Sequence, residues 1–259
     1  MPDRTPPREL YAYGSPFFDH VTHTALRAAR TVVPVVQAHL RVGSVLDVGC
    51  GQGAWLKVWT EHGVGEVLGL DGPYVDREAL LIPAERFRAT DLAAPIDVAR
   101  RFELVQCLEV AEHLPRSASE TLVATLVAHG PLVLFSAAPP GQGGEHHINE
   151  RPRAFWRALF ARHGYVLADF VRPRLAGRSE VERWYRYNTF LYVERTHLPA
   201  LPEAVRASVL PDDAPIPRVE PLAYLVRRSL LRRLPAWSVS ALARLKHALA
   251  RWAPRRSAE

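Results

Sequence analysis

Short apolar runs alternate with segments of helical periodicity along most of this chain. The runs consist largely of Val and Leu, and most of them are too short to be helices. Continuous apolar runs of this kind are typical of strands buried on both faces of a parallel sheet. The pattern therefore predicts an α/β fold. The predicted strands are residues 45–48, 67–70, 87–92, 102–110, 132–136, 165–171 and 187–194.

Two further segments are predicted to contain helices. Residues 17–40 have apolar positions near helical spacing, with Pro34 as an expected kink. Later in the chain, Asn149 is expected to cap a helix that contains Trp156 and ends at Gly164.

A glycine turn follows the first predicted strand. Gly49, Gly51 and Gly53 occupy alternate positions directly after Val48, and residues 54–61 are predicted to form a helix. Glycine permits positive φ and a close approach of the backbone to a ligand. The first N–H groups of the helix would face whatever lies over the turn, so we expect a nucleotide-like ligand there.

Asp71 strengthens this interpretation. It ends the second apolar run, 18 residues after Gly53, where an acidic side chain of a βαβ unit accepts hydrogen bonds from a ribose diol. The stretch Val-Leu-Asp-Val-Gly-Cys-Gly-Gln-Gly, with Gly-Leu-Asp after it, resembles motif I and the acidic end of strand two in class I S-adenosylmethionine-dependent methyltransferases. NAD-binding proteins usually place their third glycine one residue later.

The resemblance covers about residues 40–195 and implies a Rossmann-like, seven-stranded methyltransferase sheet with helices on both faces. It implies that the last two strands are antiparallel and that the cofactor is S-adenosylmethionine, with an acidic residue near the adenine after strand three. The cofactor-binding residues that it implies are Asp47, Gly49, Gly51, Gly53, Asp71, Asp91, Leu92 and Glu109.

Two loops beyond the carboxyl ends of strands four and five carry the remaining candidate chemistry, and they should converge. One interpretation is a divalent-metal site, because carboxylate oxygens and imidazole nitrogens suit Mg²⁺, Mn²⁺ or Zn²⁺. The loops are similar to those of the metal-dependent small-RNA 2′-O-methyltransferases, which would make RNA the acceptor. The candidate ligands are Glu109, Glu112, His113 and His147, with His146 as an alternative to His147.

The other interpretation is acid–base chemistry without a metal. Glu112-His113 resembles the Glu-His after strand four of small-molecule methyltransferases, including the quinone-type enzymes. S-adenosylmethionine already carries an activated methyl group, so the protein must align the acceptor and remove a proton from an attacking hydroxyl. We expect His113 first and His147 second as the general base, with Glu112 as a third catalytic candidate.

The glycine-rich segment 136–144 predicts a loop that closes over the substrate. Together with Trp156 and the stretch around Trp184, it resembles methyltransferases of polysaccharide and natural-product biosynthesis. The resemblance implies O-methylation of a sugar, glycan or related small molecule. Packing in the core is the alternative for both tryptophans.

Residues 221–259 hold nine Lys or Arg and one acidic residue, although the net charge of the whole chain is only +6. Leu222, Leu225, Val226 and Leu230 share one face of a predicted helix, and residues 242–252 predict a second. Basic amphipathic helices lie on anionic membrane surfaces; packing on the body or on a second subunit is the alternative. A nucleic-acid partner is not favoured, because the tail lacks interleaved stacking aromatics.

These features divide the chain into an N-terminal segment with a lid helix (1–40), a cofactor-binding methyltransferase domain (41–200), and a linker with a basic helical tail (201–259). Cys50 and Cys107 are expected to be reduced and buried, and residues 1–10 have no apolar signal core. Both features predict a cytoplasmic protein, with peripheral membrane attachment left open. A non-catalytic cofactor-binding scaffold is the remaining alternative function, and nothing indicates an oligomeric state.

Overall fold

The computed structural model describes residues 15–235, 238–239 and 241, with side chains from residue 21 onward. The strands are β1 (Ser44–Val48), β2 (Glu66–Asp71), β3 (Phe87–Ala89), β4 (Leu104–Leu108), β5 (Leu132–Ser136), β6 (Tyr165–Ala168) and β7 (Phe190–Glu194). The α-helices are α1 (Ser15–Gln37), α2 (Ala54–Glu61), α3 (Ser119–His129), α4 (Arg153–Arg162), α5 (Arg183–Asn188), α6 (Glu203–Arg206) and α7 (Leu222–Leu231).

The seven strands form one mixed sheet in the order β3-β2-β1-β4-β5-β7-β6. Pairings among β1 to β5 are parallel, and β7 runs antiparallel to both of its neighbours. The predicted Rossmann-like, seven-stranded sheet is confirmed. Strand order reverses between β1 and β4, so the loops after these two strands border a crevice at the carboxyl edge of the sheet, where ligands bind in open α/β folds.

Helices cover both faces of the sheet. On one face, α1 and α2 pack together, and Trp55 and Trp59 of α2 are buried in the core. On the other face, α3 and α4 pack beside a cluster in which the Trp156 ring lies 5.2 Å from that of Phe135. Trp156 therefore belongs to the core, which was the alternative to a role in substrate binding for this tryptophan. Cys50 and Cys107 are free and buried.

The predicted strand over 187–194 begins too early. Tyr187 and Asn188 are the last residues of α5, and β7 starts at Phe190. Aromatic residues favour strands, but Tyr185 packs edge-on against Trp55 with 5.3 Å between the ring centroids. Tertiary packing thus overrides local preference in this segment.

Among the described residues, none of the helices has the length and apolar character needed to cross a bilayer. The second predicted tail helix, over 242–252, lies outside the residues that the structure describes.

Candidate functional site

The turn after β1 packs closely against other side chains at Gly49 and Gly53 and faces open space at Gly51. Gly49 and Gly53 have φ values of +89° and +81°, and a Cβ there would lie 2.2 Å from Val110 and 2.9 Å from Ile82, respectively. Gly51 also has positive φ, yet no heavy atom lies within 4 Å of where its Cβ would be. Because Gly51 lines a large cavity, the turn leaves room for a ligand close to its backbone.

The carboxylate of Asp71, at the end of β2, holds this turn. Its Oδ2 accepts a hydrogen bond from the N–H of Gly51 at 2.6 Å, and its Oδ1 accepts from the N–H of Gly72 at 2.7 Å and from the hydroxyl of Tyr74 at 2.6 Å. Burial raises the pKa of Asp71. A carboxylate has about four acceptor sites, so Asp71 keeps one for a ligand hydroxyl in the cavity that it lines.

Asp47 in β1 is a buried carboxylate at the same end of the cavity. It is 2% exposed, and its Oδ2 has no hydrogen-bond partner within the described part of the chain. Burial raises the pKa of Asp47 to about 8. An unsatisfied buried oxygen costs free energy, and a cationic ligand group would remove that cost. The positive sulfonium and ammonium groups of S-adenosylmethionine fit this position.

The structure separates Asp91, predicted to lie near the adenine, from Leu92, predicted to bind the cofactor. Leu92 is buried and forms part of the cavity wall. Asp91 is exposed, and its Oδ1 accepts a hydrogen bond from the N–H of Ala93 at 2.9 Å, as in an Asx turn. Asp91 is not among the residues that line the cavity.

The loops after β4 and β5 are joined by hydrogen bonds. The carbonyl of Glu112 accepts from the N–H groups of Ile148 at 2.9 Å and Asn149 at 3.0 Å. The side-chain amide of Asn149 donates to the carbonyl of Ala111 at 3.2 Å and to Oγ of Ser119 at 3.0 Å. The prediction that Asn149 caps a helix is therefore wrong: α4 begins later, and Asn149 satisfies buried polar groups of the converging loops.

Two buried carboxyl groups lie at the base of these loops. Glu109 has a φ of +57°, which is rare for a residue other than glycine, and its Oε2 accepts a hydrogen bond from Nε2 of Gln142 at 2.6 Å. Glu112 accepts from the N–H of Ala138 at 3.1 Å. Burial, and then the charge of Glu109, raise the pKa of Glu112 well above its ordinary value.

The rings of His113 and His147 meet edge to face, with 4.8 Å between their centroids. Nδ1 of His147 lies 3.0 Å from Oε1 of Glu150. The same carboxylate accepts hydrogen bonds from the N–H groups of Gly141 at 2.7 Å and Gly143 at 2.8 Å. Because a carboxylate only accepts, this geometry assigns the His147 proton to Nδ1 and leaves a lone pair on Nε2.

The other two histidines lining the cavity lie in different surroundings. Burial, and then the neighbouring ring of His147, lower the pKa of His113 well below its ordinary value, so His113 is neutral near pH 7. His146 has a φ of +56°, and burial lowers its pKa as well. His147 differs in that the carboxylate of Glu150 contacts its Nδ1 and orients the ring.

Ligand atoms of Glu112, His113 and His147 lie within 4.8 Å of one another. Imidazole nitrogens and carboxylate oxygens are the donor types that bind divalent cations. Glu109, predicted as a fourth ligand, is not in this group, and Gln142 holds one of its oxygens.

The tail helix α7 forms one wall of the cavity. Nη1 of Arg227 donates to the carbonyl of Gln142 at 3.2 Å, and a Cβ on Gly141 would lie 2.2 Å from the carbonyl oxygen of Arg228. Tyr224, which is 5% exposed, lines the cavity. The first tail helix therefore packs on its own body. The sequence did not reveal this contact, because amphipathic spacing identifies an apolar face but not the surface that it meets.

A continuous cavity of about 930 Å³ extends from the glycine turn to α5 and α7, with Trp184 of α5 in its wall. This volume lies at the upper end of the usual range for small-molecule sites.

The sheet, the glycine turn and the acidic end of β2 define a Rossmann-like methyltransferase fold. Residues 20–169 match a family profile described as a methyltransferase domain. The chain therefore belongs to the class I S-adenosylmethionine-dependent methyltransferase family, as the sequence motifs predicted.

Two curated relatives, both named ubiquinone biosynthesis O-methyltransferase, are similar to part of the chain. The protein of Leptothrix cholodnii is 31% identical over 161 residues, which cover 55% of this chain and 61% of the relative. That of Stutzerimonas stutzeri is 30% identical over 162 residues, which cover 55% and 62%. The chain thus matches less than two thirds of the length of either relative.

A solved structure of an O-methyltransferase family protein from Burkholderia thailandensis has the same fold, with a TM-score of 0.50. The two chains are 14% identical, and the match covers 69% of this chain and 59% of the other.

Proposed function

We propose that the protein methylates a hydroxyl oxygen of a sugar, glycan or related small molecule with S-adenosylmethionine. One observation carries the proposal: a single cavity joins the open glycine turn and Asp47 to a histidine whose ring is held by a partly buried carboxylate. A non-catalytic scaffold would not need a proton acceptor in contact with its cofactor cavity.

When bound, S-adenosylmethionine supplies a methyl group on a positively charged sulfur. Asp71 would accept from one ligand hydroxyl, and Asp47 would balance the positive charge. Nε2 of His147 accepts the proton of the acceptor hydroxyl while the new C–O bond forms and the C–S bond breaks. Glu150 keeps the ring oriented and stabilises the imidazolium. His113 packs edge to face against the ring of His147.

Two observations support an oxygen acceptor of this class. Both curated relatives carry the name O-methyltransferase. Trp184 and the arginines of α5 line the same cavity, and an aromatic face with hydrogen-bond donors suits a sugar ring.

Calorimetry with S-adenosylmethionine tests the cofactor, using Asp71→Ala and the exposed Asp91→Ala as a matched pair. We expect Asp71→Ala to lose binding and Asp91→Ala to keep it. A labelled-methyl screen of sugar nucleotides, glycosides and glycolipids, with the product located by NMR, tests the acceptor. Methyl transfer to nitrogen alone would contradict the proposal.

A metal-dependent reaction is the second candidate, because Glu112, His113 and His147 offer ligand atoms within 4.8 Å of one another. It predicts that the purified protein binds Zn²⁺, Mn²⁺ or Mg²⁺ with an affinity that Glu112→Gln reduces, and that chelation abolishes activity. Full activity after dialysis against EDTA would exclude this candidate.

We also propose that α7 attaches the protein to an anionic membrane surface. Leu222, Val226, Leu230 and Leu234 are 76%, 51%, 59% and 45% exposed. Residues four apart lie on one side of a helix, so Leu222, Val226 and Leu230 form an outward apolar stripe on α7, while Tyr224 faces the cavity. Leu234 follows the end of the helix. Arg232 and Arg233 beside the stripe are exposed, and their charges complement anionic lipid headgroups.

Co-sedimentation with phosphatidylglycerol vesicles tests this attachment, with phosphatidylcholine vesicles for comparison. We expect the double variant Val226→Glu/Leu230→Glu to pellet several-fold less than the unchanged protein. Ala38→Glu, at an exposed position of the body, is the control for added charge and should pellet normally. Equal pelleting of all three proteins would contradict the attachment.

A further inference from the structure

Three guanidinium groups line the cavity: those of Arg183 and Arg186 in α5, and that of Arg227 in α7. Within the described part of the chain, none of them forms a salt bridge to a carboxylate, whereas the neighbouring Arg228 is paired with Glu220. Unpaired arginines that share a concave surface attract an anion.

Two donors of the cavity wall are buried and have no partner among the described residues. One is Nε of Arg186, and the other is the hydroxyl of Tyr224. Burial, and then the charge of Glu109, raise the pKa of Tyr224 to about 12, so its hydroxyl remains a proton donor at every physiological pH. A buried donor without an acceptor costs about 1–3 kcal/mol, and an anionic ligand would relieve that cost.

Ring contacts bring these groups together. The guanidinium carbon of Arg186 lies 4.9 Å from the centroid of the Tyr187 ring, and that ring lies 5.3 Å from the ring of Tyr224. Arg227 is held on the same wall by its hydrogen bond to the carbonyl of Gln142. Donors from α5 and α7 therefore border one region of the cavity.

The cavity wall carries both acidic and basic side chains. Asp47 and Asp71 lie at the glycine turn and suit a cationic cofactor, and the three arginines come from α5 and α7. An uncharged sugar would leave these cations without a partner, whereas an anionic acceptor would fill the site with opposite charge.

We infer that the acceptor carries a phosphate or diphosphate group, which Arg186, Arg227 and the hydroxyl of Tyr224 bind while Arg183 closes the rim. This inference rests on the proposed methyltransferase function and narrows its acceptor class. A phosphate carries more negative charge than a carboxylate and presents oxygens in several directions, so it can bond guanidinium groups from two helices at once.

Calorimetry of the full-length protein, loaded with S-adenosylhomocysteine, tests the site with inorganic pyrophosphate as the probe. We expect Arg186→Gln and Arg227→Gln each to weaken pyrophosphate binding about tenfold, which is typical for loss of a hydrogen bond to a charged group. Tyr224→Phe should weaken it less, and the exposed Arg41→Gln should leave it unchanged. Glucuronate and methyl glucoside serve as carboxylate and uncharged probes.

Absence of pyrophosphate binding, equal binding by all variants, or tighter binding of glucuronate would overturn the phosphate site. Binding of S-adenosylhomocysteine is measured first in the same cell. If the unchanged protein does not bind S-adenosylhomocysteine, the methyltransferase proposal is contradicted. The pyrophosphate titration still tests the anion site in that case.

Discussion

Nδ1 of His147 and Oε1 of Glu150 are 3.0 Å apart, and the same carboxylate accepts the N–H groups of Gly141 and Gly143. One side chain thus sets both the orientation of the histidine and the position of the glycine-rich loop. Both ends of this contact belong to the loop after β5, so the proposed base and the loop that covers the substrate are held as one unit.

If His147 is the base, His147→Asn should lower kcat by about 10²–10⁴, the usual contribution of general base catalysis. Glu150→Gln should lower kcat less and leave the Kd for S-adenosylmethionine unchanged, because the ring remains but loses its orienting acceptor. Steady-state kinetics of both variants measure these effects. Glu85→Gln, at an exposed position far from residues 147 and 150 in the sequence, is the control. Unchanged kcat in Glu150→Gln would refute the role of this contact.

Gly51→Ala and Gly63→Ala form a matched pair for the cofactor turn. Both glycines have positive φ, and no heavy atom lies within 4 Å of where a Cβ would be at either position. Each substitution should therefore destabilise the fold by about 1–2 kcal/mol through backbone strain alone. Gly51→Ala should in addition weaken S-adenosylmethionine binding at least tenfold, because its methyl group enters the cavity. Equal affinities in calorimetry would place the cofactor elsewhere.

Cofactor binding should release a proton at pH 7. The pKa of Asp47 is raised to about 8 by burial, so the carboxyl is mostly protonated there in the free protein. A cationic ligand lowers that pKa, so affinity should rise with pH up to about 8 and then level off. Calorimetry in two buffers of different ionisation enthalpy measures the proton, and Asp47→Asn should remove it. An affinity that is flat from pH 6 to 8 would contradict this linkage.

Asn149→Ala should destabilise the fold by about 1–3 kcal/mol, because it leaves buried polar groups of Ala111 and Ser119 without their partner. The control is Gln37→Ala, which loses one solvent-accessible hydrogen bond to His62 and should cost about 0.5 kcal/mol or less. Urea unfolding of both variants gives the comparison, and equal midpoints would show that Asn149 does not fasten the loops.

The parts of this fold that sequence predicts well are those determined by neighbours in the chain. The apolar run of β1, the alternate glycines and the start of α2 lie within a few residues of one another, so their spacing predicts both strand and turn. The acidic end of β2 follows from the same βαβ unit. Asp91 shows the limit of prediction from sequence, because an aspartate at this position is equally consistent with an Asx turn and with a ligand contact.

The parts that sequence could not predict depend on contacts between distant residues. Gln142 bonds Glu109, Asn188 and Arg227, which come from three separate segments of the chain. Glu150 has a local signal, its i+3 spacing from His147, but a role for it emerges only when the glycine-rich loop folds back onto its carboxylate. Strand preference likewise misassigned Tyr187, because tertiary packing decides that segment.

The close contact between Gly141 and the carbonyl of Arg228 has a practical consequence for engineering. Deletion of the chain from Pro221 onward would remove a segment that encloses the reaction site, and not a dispensable appendage. Exchanging this segment for that of another methyltransferase is accordingly a way to reprogram which acceptors are admitted while the cofactor end is left untouched.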